Sequence, residues 1–155
     1  MRAVVQRVAD ATVTVDDLVV ASLGTGLLVL VGVVPTDSER EVATLAAKLV
    51  AMRVFPDEDG RMNRSIHDIG GSILIVSQFT LVGDITKGRR PSFSGAAPPE
   101  HARGIIDRLV ASVRNRGVSV ETGQFGAMMN VSLTNWGPVT FVIDEPAASG
   151  SARAG

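Results

Sequence analysis

The chain has 155 residues, enough for one domain around one hydrophobic core. Apolar residues make up 45%, charged residues 20%, and the net charge is −1, which excludes a disordered chain and any global attraction to nucleic acid. The absence of cysteine excludes disulfides, thiolate catalysis and Cys-ligated zinc, and it fits a reducing cytoplasm.

The opening, MRAVVQRVADATVTV, has no long apolar core of the kind a signal peptide needs, and residues 2–8 and 11–15 read as strands. Asp16-Asp17 is a turn candidate, after which LVVASLG resumes the strand pattern. GTG, residues 24–26, reads as a hairpin turn leading into GLLVLVGVV, a continuous apolar run that fits a strand buried on both faces. That run is far short of the roughly 20 residues a membrane helix requires, so a soluble chain is expected.

Thr36 and Glu39 form a capping-box pattern ahead of a helix whose apolar positions are Val42, Leu45, Ala46, Leu49 and Met52. Residues 55–71 read mostly as loop, and SILIVSQFTL, residues 72–81, as a further strand. An irregular stretch, residues 82–99, precedes a second helix that starts near Pro98-Pro99 and stops at Gly117. This helix places Ala102, Ile105, Ile106, Leu109 and Val113 on one face. VSVETG, AMMNVSLTN and PVTFVID supply the last strands, and the segment 145–155 reads as a flexible tail. One α+β domain over residues 1–144, with two helices covering a sheet, is the economical architecture.

The usual chemistries find little footing. His67 and His101 have no ligand-spaced companion, so both are expected to face solvent and no metal site is predicted. Ser77, Gln78 and Thr80 close a strong strand, where they could either present functional groups or merely satisfy backbone groups. VSQFT is not a GxSxG elbow, and no base is poised beside either hydroxyl. Lys87, Arg89 and Arg90 surround Gly88 in a loop, either as a phosphate grip or as an ordinary solvated cluster. No Walker loop is present. Gly137-Pro138 interrupts an apolar stretch; it reads either as a trans turn between two strands or as a stiff presentation of main-chain groups to a ligand.

SQFTL (77–81), KGRRPSF (87–93) and NWGPVTF (135–141) stand in order, with VVQRV near the start and RMNRS between. As a set they resemble the D-aminoacyl-tRNA deacylase family, once called D-tyrosyl-tRNA deacylase, over residues 1 to about 144. The resemblance implies a mostly antiparallel sheet or partial barrel with two covering helices. It implies a cytoplasmic homodimer with active sites at the subunit interface, acting on D-aminoacyl-tRNA without cofactor, membrane or DNA. In that family Ser77, Gln78, Phe79 and Thr80 would form the catalytic strand-end floor. Gly137 and Pro138 would form a Gly-cisPro chiral gate contributed to the partner's pocket. Arg7 would hold the gate, Phe125 and Met129 would border the terminal adenosine, and Lys87, Arg89 and Arg90 would meet tRNA phosphates. Trp136 stands where the family often has Asp, and Met128 and Asn130 where Asp and Gln are common.

An aminoacyl ester is an activated acyl donor with a neighbouring 2′-hydroxyl. Orientation, oxyanion stabilisation and access for water can therefore suffice for its hydrolysis. RNA-assisted hydrolysis is the expectation, with Thr80 as a covalent nucleophile the competing mechanism. Rival functions are a non-catalytic RNA-binding module using Lys87, Arg89 and Arg90, and an unrelated small esterase using Ser77 or Thr80.

Overall fold

The computed structural model describes residues 1–146, so all but Glu145 and Pro146 of the expected tail lie outside the described residues. The first strand, β1 (Arg2–Val15), is the spine of the sheet. Asp16 and Asp17, at φ 50° and 62°, turn the chain into β2 (Leu18–Leu23) and β3 (Gly26–Gly32). Positive φ at both central residues is the hairpin geometry that matches strand twist, and Asp tolerates it better than most residues. GTG is not the expected hairpin turn. β2 and β3 both pair antiparallel with β1, Ala11 opposite Leu23 and Val8 opposite Gly26, so one long arm simply loosens at residues 24–25.

Next come α1 (Glu39–Ala51), the short ribbon β4 (Phe55–Pro56) and β5 (Met62–Arg64), and β6 (Ser72–Ser77). A 3-10 turn (Phe79–Val82), α2 (Pro99–Asn115), β7 (Ser119–Thr122) and β8 (Asn130–Asp144) complete the described chain. β6 lies parallel to β3, and β7 parallel to β6, each reached through a helical crossover as parallel pairing demands. β8 pairs antiparallel along nearly the whole other edge of β1. β2 reaches across to β6 and β7, which curls the sheet toward a barrel and gives the expected fold class.

The α1 cap differs from the sequence expectation. Ser38, not Thr36, is the N-cap, and Glu41, not Glu39, closes the box by accepting from the Ser38 amide at 2.8 Å and its hydroxyl at 2.7 Å. Asp37, immediately before the cap, is buried against the Met1 ammonium at 2.8 Å, and that contact fixes where the helix begins. α2 starts at Pro99, where a missing N–H costs nothing, and ends before Gly117, at φ 84°.

Each face of the sheet has its own apolar cluster. On one, Ala3, Val5, Leu27, Val29, Val31, Ile73 and Ile75 meet the buried faces of both helices. On the other, Val8, Val13, Leu23, Leu28, Leu74 and Val76 fill the concave side. β3 is buried on both faces because it lies between β1 and β6 with a cluster on either side, which is what its unbroken apolar sequence anticipated. Among the described residues no helix is long and apolar enough to cross a membrane.

Candidate active site

The strand predicted over 72–81 stops at Ser77, and the SQFT segment is the bend that follows. Gln78 donates its amide to Val31 O at 2.7 Å, ending the parallel ladder, and accepts from Leu81 N at 3.2 Å to open the 3-10 turn. Gly32 makes this bend possible. A Cβ there would sit 3.0 Å from Gln78 O and 3.1 Å from both Leu81 Cβ and Val82 Cγ1, so glycine lets the bend lie on β3 without the shift a side chain would require.

Among the described residues, no acceptor faces the Phe79 and Thr80 N–H groups, the open donors of a helical first turn. Phe79 is 54% exposed and meets Phe93 edge-to-face at 4.9 Å. Gln78 Nε2 donates to Thr80 Oγ1. No histidine or carboxylate among the described residues hydrogen-bonds Ser77 or Thr80. The segment therefore offers main-chain donors and an aromatic wall, without a general base.

The NWGPVTF segment corrects the reading of two strands joined by a turn. β8 keeps one direction across it: Thr140 faces Gln6, Asn135 faces Val8, and residues 136–139 loop out opposite Arg7. The Gly137-Pro138 bond is cis, and Gly137 stands at φ 149°. A Cβ at Gly137 would lie 2.6 Å from Val139 Cγ2 and 2.8 Å from Val139 N. Asn135 closes the base of the loop, accepting from Val139 N at 2.7 Å and donating to Val139 O and Thr140 Oγ1 at 3.1 Å each.

Arg7 supports the loop from beneath. Its Nε donates to Trp136 O and its Nη1 to Val54 O, both at 2.7 Å, while its guanidinium lies 4.4 Å from the centre of the Trp136 ring. Burial pulls the Arg7 pKa below the ordinary arginine value, yet a guanidinium stays charged. Trp136, which the sequence left unexplained, is thus the lid over that cation, with Phe55 at 6.4 Å behind it. Gly137 and Pro138 themselves are exposed.

Phe125 and Met129 fall on opposite sides of the sheet's end, Phe125 against the helix-side cluster and Met129 against the concave one. Phe125 shares a cavity of about 380 Å³ with Ser77, Arg103, Asp107, Arg114 and Gly123. Met129 Sδ lies against Gly123, at that cavity's wall. Lys87, Arg89 and Arg90 are exposed on a loop pinned by two backbone hydrogen bonds between Asp84 and Ser92, each amide donating to the other's carbonyl, at 2.7 and 2.8 Å. None of the three forms an ion pair among the described residues. The Asp84 carboxyl, held below its usual range by the Thr86 hydroxyl and amide, stiffens the loop's start. His101 does not simply face solvent: its Nε2 lies 3.0 Å from Asp37 O.

The two motifs are not neighbours within the chain. β8 and β6 are separated by β1 and β3, three strand spacings or about 14 Å. Along β1, the 136–139 loop faces Arg7, whereas Ser77 is aligned through Val31 with Ala3. No hydrogen bond or aromatic contact among the described residues links them. Asn135 and Gly32 escaped the sequence reading. Asn135 was visible inside its motif, but nothing in the letters indicated a side chain bracketing its own loop.

The family profile described as D-Tyr-tRNA(Tyr) deacylase matches residues 4–144. Similar proteins include the D-aminoacyl-tRNA deacylase of Thermus aquaticus, 54% identical over 151 residues covering 97% of this chain and 99% of the relative. That of Roseiflexus sp. strain RS-1 is 57% identical over 144 residues, covering 93% of each. Two solved structures share the fold. One, described as c-Myc DNA Unwinding Element Binding Protein, has a TM-score of 0.88 at 39% identity and covers 95% of this chain and 100% of that one. The other, described as a probable eukaryotic D-amino acid tRNA deacylase, has a TM-score of 0.80 at 20% identity and covers 93% and 98%.

Proposed function

The chain belongs to the D-Tyr-tRNA(Tyr) deacylase family, and from that premise we propose that it is a cytoplasmic D-aminoacyl-tRNA deacylase whose active sites lie at the interface of a homodimer. The observation that carries the interface reading is the separation of two incomplete halves. Among the described residues, the 77–80 bend offers unpaired N–H groups with nothing beside them to sense chirality, and the exposed Gly137-Pro138 tip has no hydrogen bond to that bend. In a two-fold dimer the tip of one subunit meets the floor of the other.

The floor does the chemistry by placement. The Phe79 and Thr80 amides stabilise the oxyanion that forms when water attacks the ester carbonyl. The bond to the ribose oxygen then breaks, and the terminal 2′-hydroxyl assists the proton transfers. The absence, among the described residues, of a histidine or carboxylate hydrogen-bonded to Thr80 supports the RNA-assisted route over a Thr80 nucleophile. Ser77 completes the floor, Phe125 and Met129 border the terminal adenosine, and Lys87, Arg89 and Arg90 meet tRNA phosphates.

The gate selects by exclusion. A rigid main-chain tip near the substrate's α-carbon blocks an L side chain and lets a D side chain point outward. Glycine, with no side chain to exclude, leaks through. No metal or cofactor enters this scheme, and the net charge of −1 gives no global attraction to DNA.

Matched D- and L-aminoacyl-tRNA deacylation by the purified protein tests the function. Rapid hydrolysis of the D-ester with the L-ester spared is the expected result, and preference for the L-ester contradicts the assignment. Thr80→Ala is expected to keep near-normal turnover, and loss of several orders of magnitude restores the covalent route. Substrate ending in 2′-deoxyadenosine is expected to react slowly; unimpaired turnover removes the RNA-assisted scheme.

A further inference from the structure

The cavity beside Ser77 contains more than an adenosine needs. α2 turns Arg103, Asp107 and Arg114 toward it, in the one-turn and two-turn spacing that keeps residues on one helix face. Arg103 lies with its guanidinium 4.6 Å from the centre of the Phe125 ring. Among the described residues no carboxylate lies within ion-pair distance of it. Arg114 is anchored differently, donating from Nη2 to Val120 O at 2.8 Å, which leaves its other N–H groups available. Gly123 and Thr122, at the end of β7, close the far wall.

A guanidinium held over an aromatic ring has lost much of its rotamer freedom, so less entropy remains to be lost when it meets an anion. Its edge still presents donors that match two phosphate oxygens. Because this edge is reached from the cavity that also holds Ser77, an anion there lies beside the reacting end of the substrate. Asp107 disfavours a free, multiply charged anion but tolerates a single charge balanced by two guanidinium groups.

We propose that Arg103, positioned by Phe125 and seconded by Arg114, binds the internucleotide phosphate that precedes the terminal adenosine of the tRNA. This rests on the deacylase reading and adds a residue that sets the register of the single-stranded end. Arg103 contacts substrate but not the reacting atoms, so it acts through binding, whereas the 77–80 floor acts on turnover. Lys87, Arg89 and Arg90 sit on a separate exposed loop, where they can follow the strand farther back.

The test compares Arg103→Gln and Arg103→Lys with the wild type on two D-esters: D-aminoacyl-tRNA, and a D-aminoacyl-adenosine with no phosphate. Arg103 is exposed on α2, and circular dichroism checks that the variants fold. For Arg103→Gln the expected result is a KM rise on tRNA of about tenfold, the loss of one charged hydrogen-bond partner, with kcat little changed. The rise on the phosphate-free ester is expected to be several-fold smaller. The salt dependence of log KM on tRNA should flatten by about 0.7, one single-strand phosphate contact. Arg103→Lys should recover part of the loss. Equal losses on both esters, or an unchanged salt slope, overturn the inference and leave Arg103 a packing partner of Phe125. Failure of the deacylase reading looks different: the wild type itself hydrolyses neither ester, and the inference falls with it.

Discussion

The bend after β6 and the loop within β8 are both departures from a strand, yet they are built in opposite ways. The bend lies back against its own sheet. Gly32 lets it approach β3, Val31 accepts its first amide, and Ser77 at its start lines a cavity within the same chain. The loop projects outward. Arg7 and Asn135 hold its base, while Gly137 and Pro138 at its tip are exposed. A buried arginine, a side-chain bracket and a tryptophan lid are a large structural investment in a tip left in solvent. The contrast supports the proposed dimer, in which the bend serves the subunit it belongs to and the loop serves the partner.

That contrast can be broken at several points. The largest effect is expected from Arg7→Ala, which orphans Trp136 O and Val54 O and removes the cation beneath the Trp136 ring. A stability loss of about 3 kcal/mol in denaturant unfolding is expected, together with weakened discrimination between D- and L-esters. Gly32→Leu attacks the other region. A branched side chain where a bare Cβ already sits 3.0 Å from Gln78 O must lift the bend, and a fall of about a hundredfold in kcat/KM is expected at nearly intact selectivity. Unchanged turnover there would detach the floor from catalysis.

Gly137→Ala sharpens the comparison from the gate side. At φ 149° the new methyl lies against Val139, so the tip must shift, and L-ester hydrolysis is expected to rise while D-ester turnover changes little. Asn135→Ala leaves the buried Val139 amide without its partner and should cost about 1–2 kcal/mol, with a smaller loss of selectivity.

The smallest effect lies away from both regions. Ser38, by hydrogen bonding, holds the Glu41 carboxyl below its usual range. Its folded-state pKa is therefore depressed. The stabilisation is present above the unfolded value of about 4.3 and disappears as pH falls through the lower folded value. Glu41→Gln should flatten the acid limb of the stability curve and leave both D- and L-rates unchanged.

How much of this the sequence revealed follows from how local each feature is. β3 was legible because a strand covered on both faces must be apolar throughout, and α2 because Pro99 and Gly117 mark its two ends. The GTG reading failed because register belongs to the partner strand: glycines that look like a turn merely loosen an arm that β1 keeps straight. Thr36 lost the cap to Ser38 because Asp37 is drawn to the Met1 ammonium, a contact across 36 residues of sequence. The site divides the same way. SQFT and the Gly-Pro pair were readable as motifs, but their supports, Gly32 and Asn135, act through distances the letters do not carry. Arg103 gave no signal in the sequence, since its partner Phe125 lies beyond the end of the helix.

The central claim, a floor in one subunit gated by the other, is tested most directly by mixing two defective subunits. Gly32→Leu subunits, with a damaged floor and a sound gate, are titrated into Gly137→Ala subunits, with a sound floor and a damaged gate, and both D- and L-ester hydrolysis are followed. In the mixed dimer the sound floor receives the sound gate, so L-ester hydrolysis is expected to fall toward the wild-type level while D-ester hydrolysis persists. L-ester hydrolysis that stays constant as Gly32→Leu subunits are added would place gate and floor in the same chain and contradict the account.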